Sequence, residues 1–174
     1  LNLCSMYFHE AMDTSLGQLL RGDSFSNILN MIFENGSVFG ANIISPTYSI
    51  LSDIVNNEPS ILTHFISNKC IKNALLGILK MDIEYNSDTI LSISNAISAM
   101  ALTTEGRELV KSINPFPSLL SLFHNEKYIL PDRPTLMSDL PNLFGSNLEE
   151  LLRHQPTLSS ICFSALIGEM NIII

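Results

Sequence analysis

The sequence predicts an all-α fold that is built from repeated helical units. Residues that begin and end helices recur along the whole chain. No alternating apolar run lies beside an Asn-Gly or Asp-Gly turn, as a β-hairpin would require. Of the 174 residues, 46% are hydrophobic and 15% are charged, and this composition is too apolar for a disordered chain. A chain of this length buries roughly 70% of its unfolded surface when it folds.

The first predicted unit contains three helices of increasing length. Residues 13–15 cap a short helix that ends at Gly22, and the second helix ends near Gly36. The third spans 39–56, and Pro46 is expected to kink it or to mark its true start because proline lacks an amide donor. The second helix is predicted to bury one face, formed by Phe25, Ile28, Leu29 and Ile32.

The second and third predicted units have the same order of helices. Pro59 suits the first position of a short helix at 60–67, and a further helix follows at 69–80. Asn86 and the two residues after it can cap a longer helix that reaches residue 102. In the third unit, Thr103 and the residues after it open the first helix. The predicted helices of that unit span 105–112, 116–124, 135–154 and 157–170.

The units also repeat in sequence. Ile28, Leu75 and Leu119 are each followed by a leucine, and these apolar pairs lie 47 and 44 positions apart. Armadillo and HEAT repeats have periods of about 40–47 residues. Three helices per unit, the first of them short, favour an armadillo-like solenoid of about three to four repeats. The chain is predicted to be one such segment, with approximate units 1–57, 58–102 and 103–174.

Composition and chain ends indicate a piece of a longer array. Leu1 already belongs to an apolar helical pattern, and Ile172, Ile173 and Ile174 close the chain, whereas end repeats need polar surfaces. We therefore expect the isolated segment to self-associate through exposed apolar ends. Residues 1–12 lack the features of a signal peptide, and no run of about 18 uncharged apolar residues occurs. We expect a soluble segment that neither spans nor binds a membrane.

Charge and cysteine content narrow the range of partners. The net charge is -8 and the basic residues are scattered, so nucleic-acid binding, which needs clustered Lys and Arg, is not expected. Cys4, Cys70 and Cys162 are widely spaced, which is typical of buried thiols in a reducing compartment. The cytosol or nucleus is the expected location. No glycine-rich phosphate loop is present, and no cofactor is expected.

Catalytic motifs are not found. Cys70 follows Lys69 near a predicted helix start, where a thiol pKa can be lowered. The preferred interpretation is a small buried hydrophobic residue that faces Leu75. No G-x-S-x-G motif accompanies any serine. We predict no catalytic residue in this chain, and the residues that contact substrates stay unknown.

Metal ligands are not clustered either. The histidines stand alone in the sequence, at His9, His64, His124 and His154. Glu150 and His154 are four residues apart and can share a cation, but a surface contact in which Glu149 and Glu150 also face Arg153 is favoured. We predict no metal site.

A peptide-binding groove of the importin type is disfavoured. Armadillo proteins of that type carry a ladder of Trp and Asn residues, and this chain has no Trp. Asn95 lies inside a predicted helix and can face a groove. The favoured interpretation is that its side chain bonds a neighbouring loop.

Several stretches resemble one family. The run NLEELLRHQPTL at 147–158 is similar to a signature in the N-terminal region of the giant HECT-type E3 ubiquitin ligases. The stretch ISNAISAMALTTEGRE at 93–108 resembles the same region. Further similarity lies at Pro115, Phe116, 119–123 and Tyr128, and, nearer the start, at Phe39, Gly40 and 57–59. Between Tyr128 and Asn147 the animal relatives look longer and more basic, whereas Arg133 is the only basic residue of this chain in that stretch.

The resemblance implies part of a ubiquitin ligase that lacks its catalytic domain. In this family a long armadillo-like solenoid gathers substrates, and a HECT domain at the far C-terminus transfers ubiquitin through a cysteine. None of the three cysteines here matches that motif. The implied function is a non-catalytic scaffold that holds protein substrates, with other parts of the same ligase chain as partners. The alternative is a self-standing armadillo-like adaptor that binds protein partners without ligase activity.

Overall fold

A computed structural model describes residues 15–80, 86–124 and 140–173. Within these ranges the regular structure is entirely helical, and no β-strand occurs there. None of the described helices is long and apolar enough to cross a membrane. The α-helices are α1 (Ser15–Leu20), α2 (Asp23–Glu34), α3 (Gly36–Phe39), α4 (Ala41–Asn57), α5 (Ile61–Ser67), α6 (Cys70–Leu79), α7 (Ser87–Met100), α8 (Thr104–Ile113), α9 (Phe116–Leu120), α10 (Leu140–His154) and α11 (Ser159–Ile173). Two 3₁₀ helices, Ser121–His124 and Pro156–Leu158, follow α9 and α10.

The all-α prediction is confirmed. Two details of the helices predicted for the first unit are wrong, namely the buried face of α2 and the start of α4. Ile28 is 52% exposed, so the buried face of α2 consists of Ser26, Leu29 and Phe33 instead of including Ile28. Phe25 and Ile32 pack against this core from its edges. The predicted caps at residues 13 and 14 lie outside the described residues.

Helix α4 begins five residues before Pro46, so the proline does not mark its start. Gly40 sets the start instead: it has φ 70° and separates α4 from the short helix α3. This left-handed backbone conformation favours glycine because glycine has no Cβ. Pro46 lies inside the helix, where its nitrogen has no hydrogen to give to the carbonyl of Asn42. The helix nevertheless continues to Asn57.

The predicted caps of the second and third units are present. The amide of Thr89 donates to Oδ1 of Asn86 at 2.8 Å, and the amide of Gly106 donates to Oγ1 of Thr103 at 3.2 Å. Each bond satisfies one of the amides that the first helical turn leaves without a partner. A Cβ on Gly106 would lie 1.9 Å from the carbonyl oxygen of Met100. Only glycine therefore allows α8 to start this close to the end of α7.

Helices that hold equivalent places in the predicted units pack side by side. Helices α4, α7 and α10 form one row in which α7 is the central member, and α2, α6, α9 and α11 form a second row. Helices α5 and α8 are also in contact. Ser45 near the start of α4 meets Ser92 of α7, with 3.5 Å between their hydroxyl oxygens. One hydrophobic core runs through the described helices, and its largest fully buried side chains include Tyr48, Phe65 and Phe116.

Candidate functional site

The described cysteines are packed inside the protein. Cys70 is fully buried, and its thiol donates to the carbonyl oxygen of Ser26 at 3.4 Å. Burial raises the pKa of the Cys70 thiol, although the hydrogen bond with Ser26 opposes that change. Burial also raises the pKa of Cys162. A raised pKa keeps a thiol protonated and poorly nucleophilic. The predicted burial of Cys70 is confirmed. Cys4 lies outside the described residues.

The described histidines lie in three separate places. Nε2 of His64 is 3.0 Å from Nδ2 of Asn68 and 3.4 Å from Oγ of Ser26. Nε2 of His124 is 3.0 Å from Oε2 of Glu169. Among the described residues, no three His, Cys, Asp or Glu side chains are grouped as metal ligands would be. His9 lies outside the described residues.

The carboxylate of Glu150 in α10 has two neighbours, the guanidinium of Arg153 and the imidazole of His154, and each lies at the longest distance of an ion pair. Its Oε1 atom lies 4.0 Å from Nη2 of Arg153 and 4.0 Å from Nε2 of His154. All three side chains are well exposed. Such exposed pairs contribute at most about 1 kcal/mol to stability. The arrangement therefore agrees with the surface contact that was favoured over a shared cation.

Asn95 bonds a neighbouring helix, so the expectation that it bonds a loop is wrong. Nδ2 of Asn147 in α10 donates to Oδ1 of Asn95 at 3.0 Å and to Oγ of Ser94 at 3.0 Å. These bonds exist because α7 and α10 run side by side with residues 94 and 95 beside residue 147. The sequence could not show that pairing, since 52 residues separate Asn95 from Asn147.

A cleft of about 360 Å³ lies across the row α4, α7 and α10. Each helix contributes side chains three or four residues apart, which is the spacing of one helix face. The cleft lining, called here the polar cleft, is formed by Ser52, Asp53, Asn56, Asn95, Ser98, Leu102, Asn147, Glu150, Leu151, His154 and Gln155. Lys and Arg are not among these residues. At one end, Nη1 of Arg107 donates to Oε1 of Gln155 at 2.6 Å.

A second, larger depression of about 710 Å³ lies between α9, α10 and α11. Its surface is mainly apolar, and Phe123 and Phe144 are in ring contact there, with centroids 5.0 Å apart. Glu169 and His124 meet at its edge. We call this depression the apolar groove; its apolar lining includes Leu120, Phe123, Phe144, Leu148, Leu152, Cys162, Phe163, Leu166 and Met170.

The sequence pairs Glu150 with His154 and lets Asn95 face a groove, but it does not connect Asn95 with that pair. Asp53 and Asn147 were not predicted as site residues. A usable signal was present, because polar residues recur at helical spacing in α7 at 95 and 98 and in α10 at 147, 150 and 154. That signal identifies a polar face on each helix. It does not say that the two faces meet.

Comparison with known proteins places the chain in a family. The family model described as Domain of Unknown Function (DUF913) matches residues 3–173. The chain is 32% identical over 135 residues to the E3 ubiquitin-protein ligase ptr1 of Schizosaccharomyces pombe, which covers 78% of this chain and 4% of that protein. It is 25% identical over 146 residues to the E3 ubiquitin-protein ligase UPL2 of Arabidopsis thaliana, covering 84% of this chain and 4% of that protein.

A mammalian relative shows the same pattern. The E3 ubiquitin-protein ligase HUWE1 of Mus musculus is 26% identical over 148 residues, which cover 83% of this chain and 3% of that protein. The chain thus spans only a few per cent of the length of the curated relatives it matches. No solved structure matches it. The resemblance found in the sequence is confirmed, and the chain belongs to the DUF913 family found within these large ligases.

Proposed function

We propose that this chain is a non-catalytic, armadillo-like solenoid segment of a large HECT-type E3 ubiquitin ligase. In this role it gathers protein substrates and holds them relative to a distant catalytic domain. The observation that carries the proposal is the family match over residues 3–173, together with relatives described as E3 ubiquitin-protein ligases. The proposed parent protein is a ubiquitin transferase.

The packing of the helices supports a solenoid. In a repeat protein each unit contacts mainly its neighbours, and a continuous core forms only when the units stack. Here α4, α7 and α10 contact one another in series, as do α2, α6 and α9. Stacked helices of this kind give a stiff surface, and stiffness is what a scaffold needs in order to fix the distance between substrate and catalytic thioester.

The apolar groove supports a second part of the proposal, that other parts of the same ligase chain cover it. Helix α11 is the last described member of its row and contacts α9, while Phe163, Ile167 and Met170 stay exposed. Large exposed apolar surfaces usually mark interfaces. The matched residues make up only 4% of each of these two curated relatives, so the relatives contain ample sequence for further helices.

The proposal involves no cofactor, metal, membrane or nucleic acid. Buried free thiols at Cys70 and Cys162 suit a reducing compartment, and we place the protein in the cytosol, the nucleus or both. The alternative of a self-standing adaptor is distinguished by the reading frame that encodes the chain. Continuation to a HECT domain supports the ligase, and a stop soon after Ile174 supports the adaptor.

Two measurements test the proposed function. When the chain is incubated with ubiquitin-charged conjugating enzyme, no reducible ubiquitin adduct should form on Cys70 or Cys162, because both thiols are buried and protonated. In the full-length protein, deletion of residues 3–173 should reduce transfer of ubiquitin to substrates while the catalytic domain still charges itself. An adduct on either cysteine, or unchanged substrate modification after the deletion, would contradict the proposal.

A further inference from the structure

The polar cleft crosses three helices that run in the same direction. Ser45 near the start of α4 meets Ser92 in the first half of α7, and Asp53 and Asn56 near the end of α4 share the cleft with Ser98 of α7. The bonds from Asn147 to Ser94 and Asn95 fix the register of α10 on α7. The cleft is therefore formed by the same face of three successive long helices.

The cleft offers groups that match a peptide backbone. Asn56, Asn95 and Asn147 place one amide side chain on each of the three helices, and an amide both donates and accepts hydrogen bonds, as a peptide unit does. Oδ1 of Asn95 already accepts from Asn147, and that bond orients both amides. The Nδ2 group of Asn95 and the Oδ1 atom of Asn147 make no hydrogen bond with any described residue.

The charges of the cleft select the side chains of a ligand. Asp53 and Glu150 lie on the two outer helices, on either side of α7, and Lys and Arg are not among the lining residues. Asp53 is exposed and makes no ion pair within the described parts of the chain. Glu150 is 4.0 Å from both Arg153 and His154, which is too far for a strong ion pair, so its carboxylate stays available to a cationic partner.

Dimensions favour an extended segment over a small ligand. Packed helices lie about 8–10 Å apart, so a path from α4 across α7 to α10 covers roughly 16–20 Å. An extended chain rises about 3.3 Å per residue, so roughly five or six residues bridge the two carboxylates. A helix would cover the same path with its own backbone amides already bonded, and it would leave the cleft amides without backbone partners.

We propose that the polar cleft binds an extended, basic peptide segment of a protein substrate. Such a cleft differs from the importin-type groove disfavoured by the sequence, because it uses Asn side chains and carboxylates without any Trp. This inference rests on the proposed function and names the chemistry of the substrate that the segment gathers. The Asn side chains bond the peptide backbone, and Asp53 and Glu150 bind Lys or Arg side chains at either wall of the cleft. The bond between Asn95 and Asn147 positions both amides for the backbone.

The test uses the complete 174-residue chain and three fluorescein-labelled peptides of twelve residues. One peptide alternates Lys and Ser, the second alternates Glu and Ser, and the third repeats the Lys-Ser sequence with alternate backbone amides methylated. Anisotropy is measured at low ionic strength, where exposed charges are least screened. The Lys-Ser peptide should bind with an affinity that falls as salt is added. The Glu-Ser peptide should not bind, and methylation should weaken binding because it removes backbone donors.

Matched variants locate the binding surface. The double substitution Asp53→Asn with Glu150→Gln should lower the affinity for the Lys-Ser peptide about two- to twentyfold, as expected for two exposed ion pairs. Asn95→Ala should lower it about two- to tenfold through lost hydrogen bonds. Glu149→Gln and Asn142→Ala are the controls; both residues are exposed on α10 and outside the polar cleft, and both variants should bind normally. Thermal melting checks that each variant is folded.

The outcomes separate this inference from the proposed function. Equal binding of the Lys-Ser and Glu-Ser peptides, or unchanged affinity in the folded double variant, would overturn the inference. The inference also fails if the double substitution changes only the self-association of the chain, because the cleft would then be a contact between copies. In the full-length protein, if deletion of residues 3–173 reduces substrate modification while the double variant does not, the proposed function stands and the inference fails. If the deletion changes nothing, the proposed function fails.

Discussion

Helices α7 and α11 are similar in length and rich in apolar residues, but they differ in how much of that surface is buried. In α7 nine residues are buried, including Ile90, Ile93 and Ile97. In α11 Phe163 is 53% exposed and Ile167 is 59% exposed. The difference follows from their neighbours, because α7 has α4 on one side and α10 on the other, whereas α11 contacts α9 in its row. A helix buries its apolar face only where another element packs against it.

Small residues allow α7 to pack closely against its neighbours α4 and α10. Ser92, Ser94 and Ala96 of α7 are buried, and Ser94 accepts the hydrogen bond from Asn147 of α10. The hydroxyl of Ser92 donates to the carbonyl oxygen of Thr89, so its polar group is satisfied inside the protein, as burial requires. The contrast between α7 and α11 thus teaches that position in the row, more than hydrophobicity, decides which apolar residues form the core.

The largest expected effect comes from truncating one isoleucine in each helix. Ile93→Ala should lower the free energy of unfolding by about 2–5 kcal/mol, because Ile93 is 0% exposed and its truncation leaves a cavity. Ile167→Ala should change it by no more than about 0.5 kcal/mol, since most of that side chain already faces solvent. Urea unfolding followed by circular dichroism measures both. Equal losses in the two variants would show that α11 is as well packed as α7.

Two separate glycine substitutions should give smaller changes in stability, and the two changes should have opposite signs. Gly106→Ala should destabilise the chain by about 1–3 kcal/mol, because the new Cβ would collide with the carbonyl of Met100 at the end of α7. Gly145→Ala on α10 should stabilise it by about 0.5–1 kcal/mol, because no atom lies within 4 Å of the added Cβ and alanine favours helix. Melting temperatures of the two variants check the signs. A neutral Gly106→Ala variant would mean that α8 can shift away from α7 at little cost.

The smallest expected change concerns association and leaves the fold intact. The isolated chain should self-associate at high concentration, because exposed apolar surface on α11 is stabilised by burial between copies. Phe163→Ser combined with Ile167→Ser should shift the chain toward monomer with little loss of stability, and sedimentation velocity measures the shift. Leu79→Ser is the control, since Leu79 is 41% exposed on α6, which lies between α2 and α9 in its row and not at an end. A wild-type chain that stays monomeric at high concentration would contradict the prediction.

Local signals in the sequence were sufficient to predict where helices α7 and α8 begin. Asn86 and Thr103 cap α7 and α8 as predicted because a cap involves residues only three apart. The same locality explains the success at Cys70, whose apolar neighbours along α6 indicated burial. At Ile28 the local reasoning failed. Its position on the helix suits a buried face, and only the placement of α6 against α2 leaves it in solvent.

The candidate site was less accessible to sequence reasoning. Asn95 was recognised as a residue that can face a groove, but its partner Asn147 and the carboxylate of Asp53 were not, because three helices far apart in sequence contribute to the polar cleft. The apolar groove was anticipated only as an excess of apolar residues near the end of the chain. Its shape depends on how α9, α10 and α11 pack, and no spacing within one helix reports that.

The sequence by itself determined that the chain is helical and which family it belongs to, since capping, apolar periodicity and similarity are all local properties of the chain. The tertiary structure decided which apolar faces are covered and which polar faces meet. The physical reason is that burial and electrostatic environment depend on the relative placement of helices about 45 residues apart, and that placement results from the packing of whole faces.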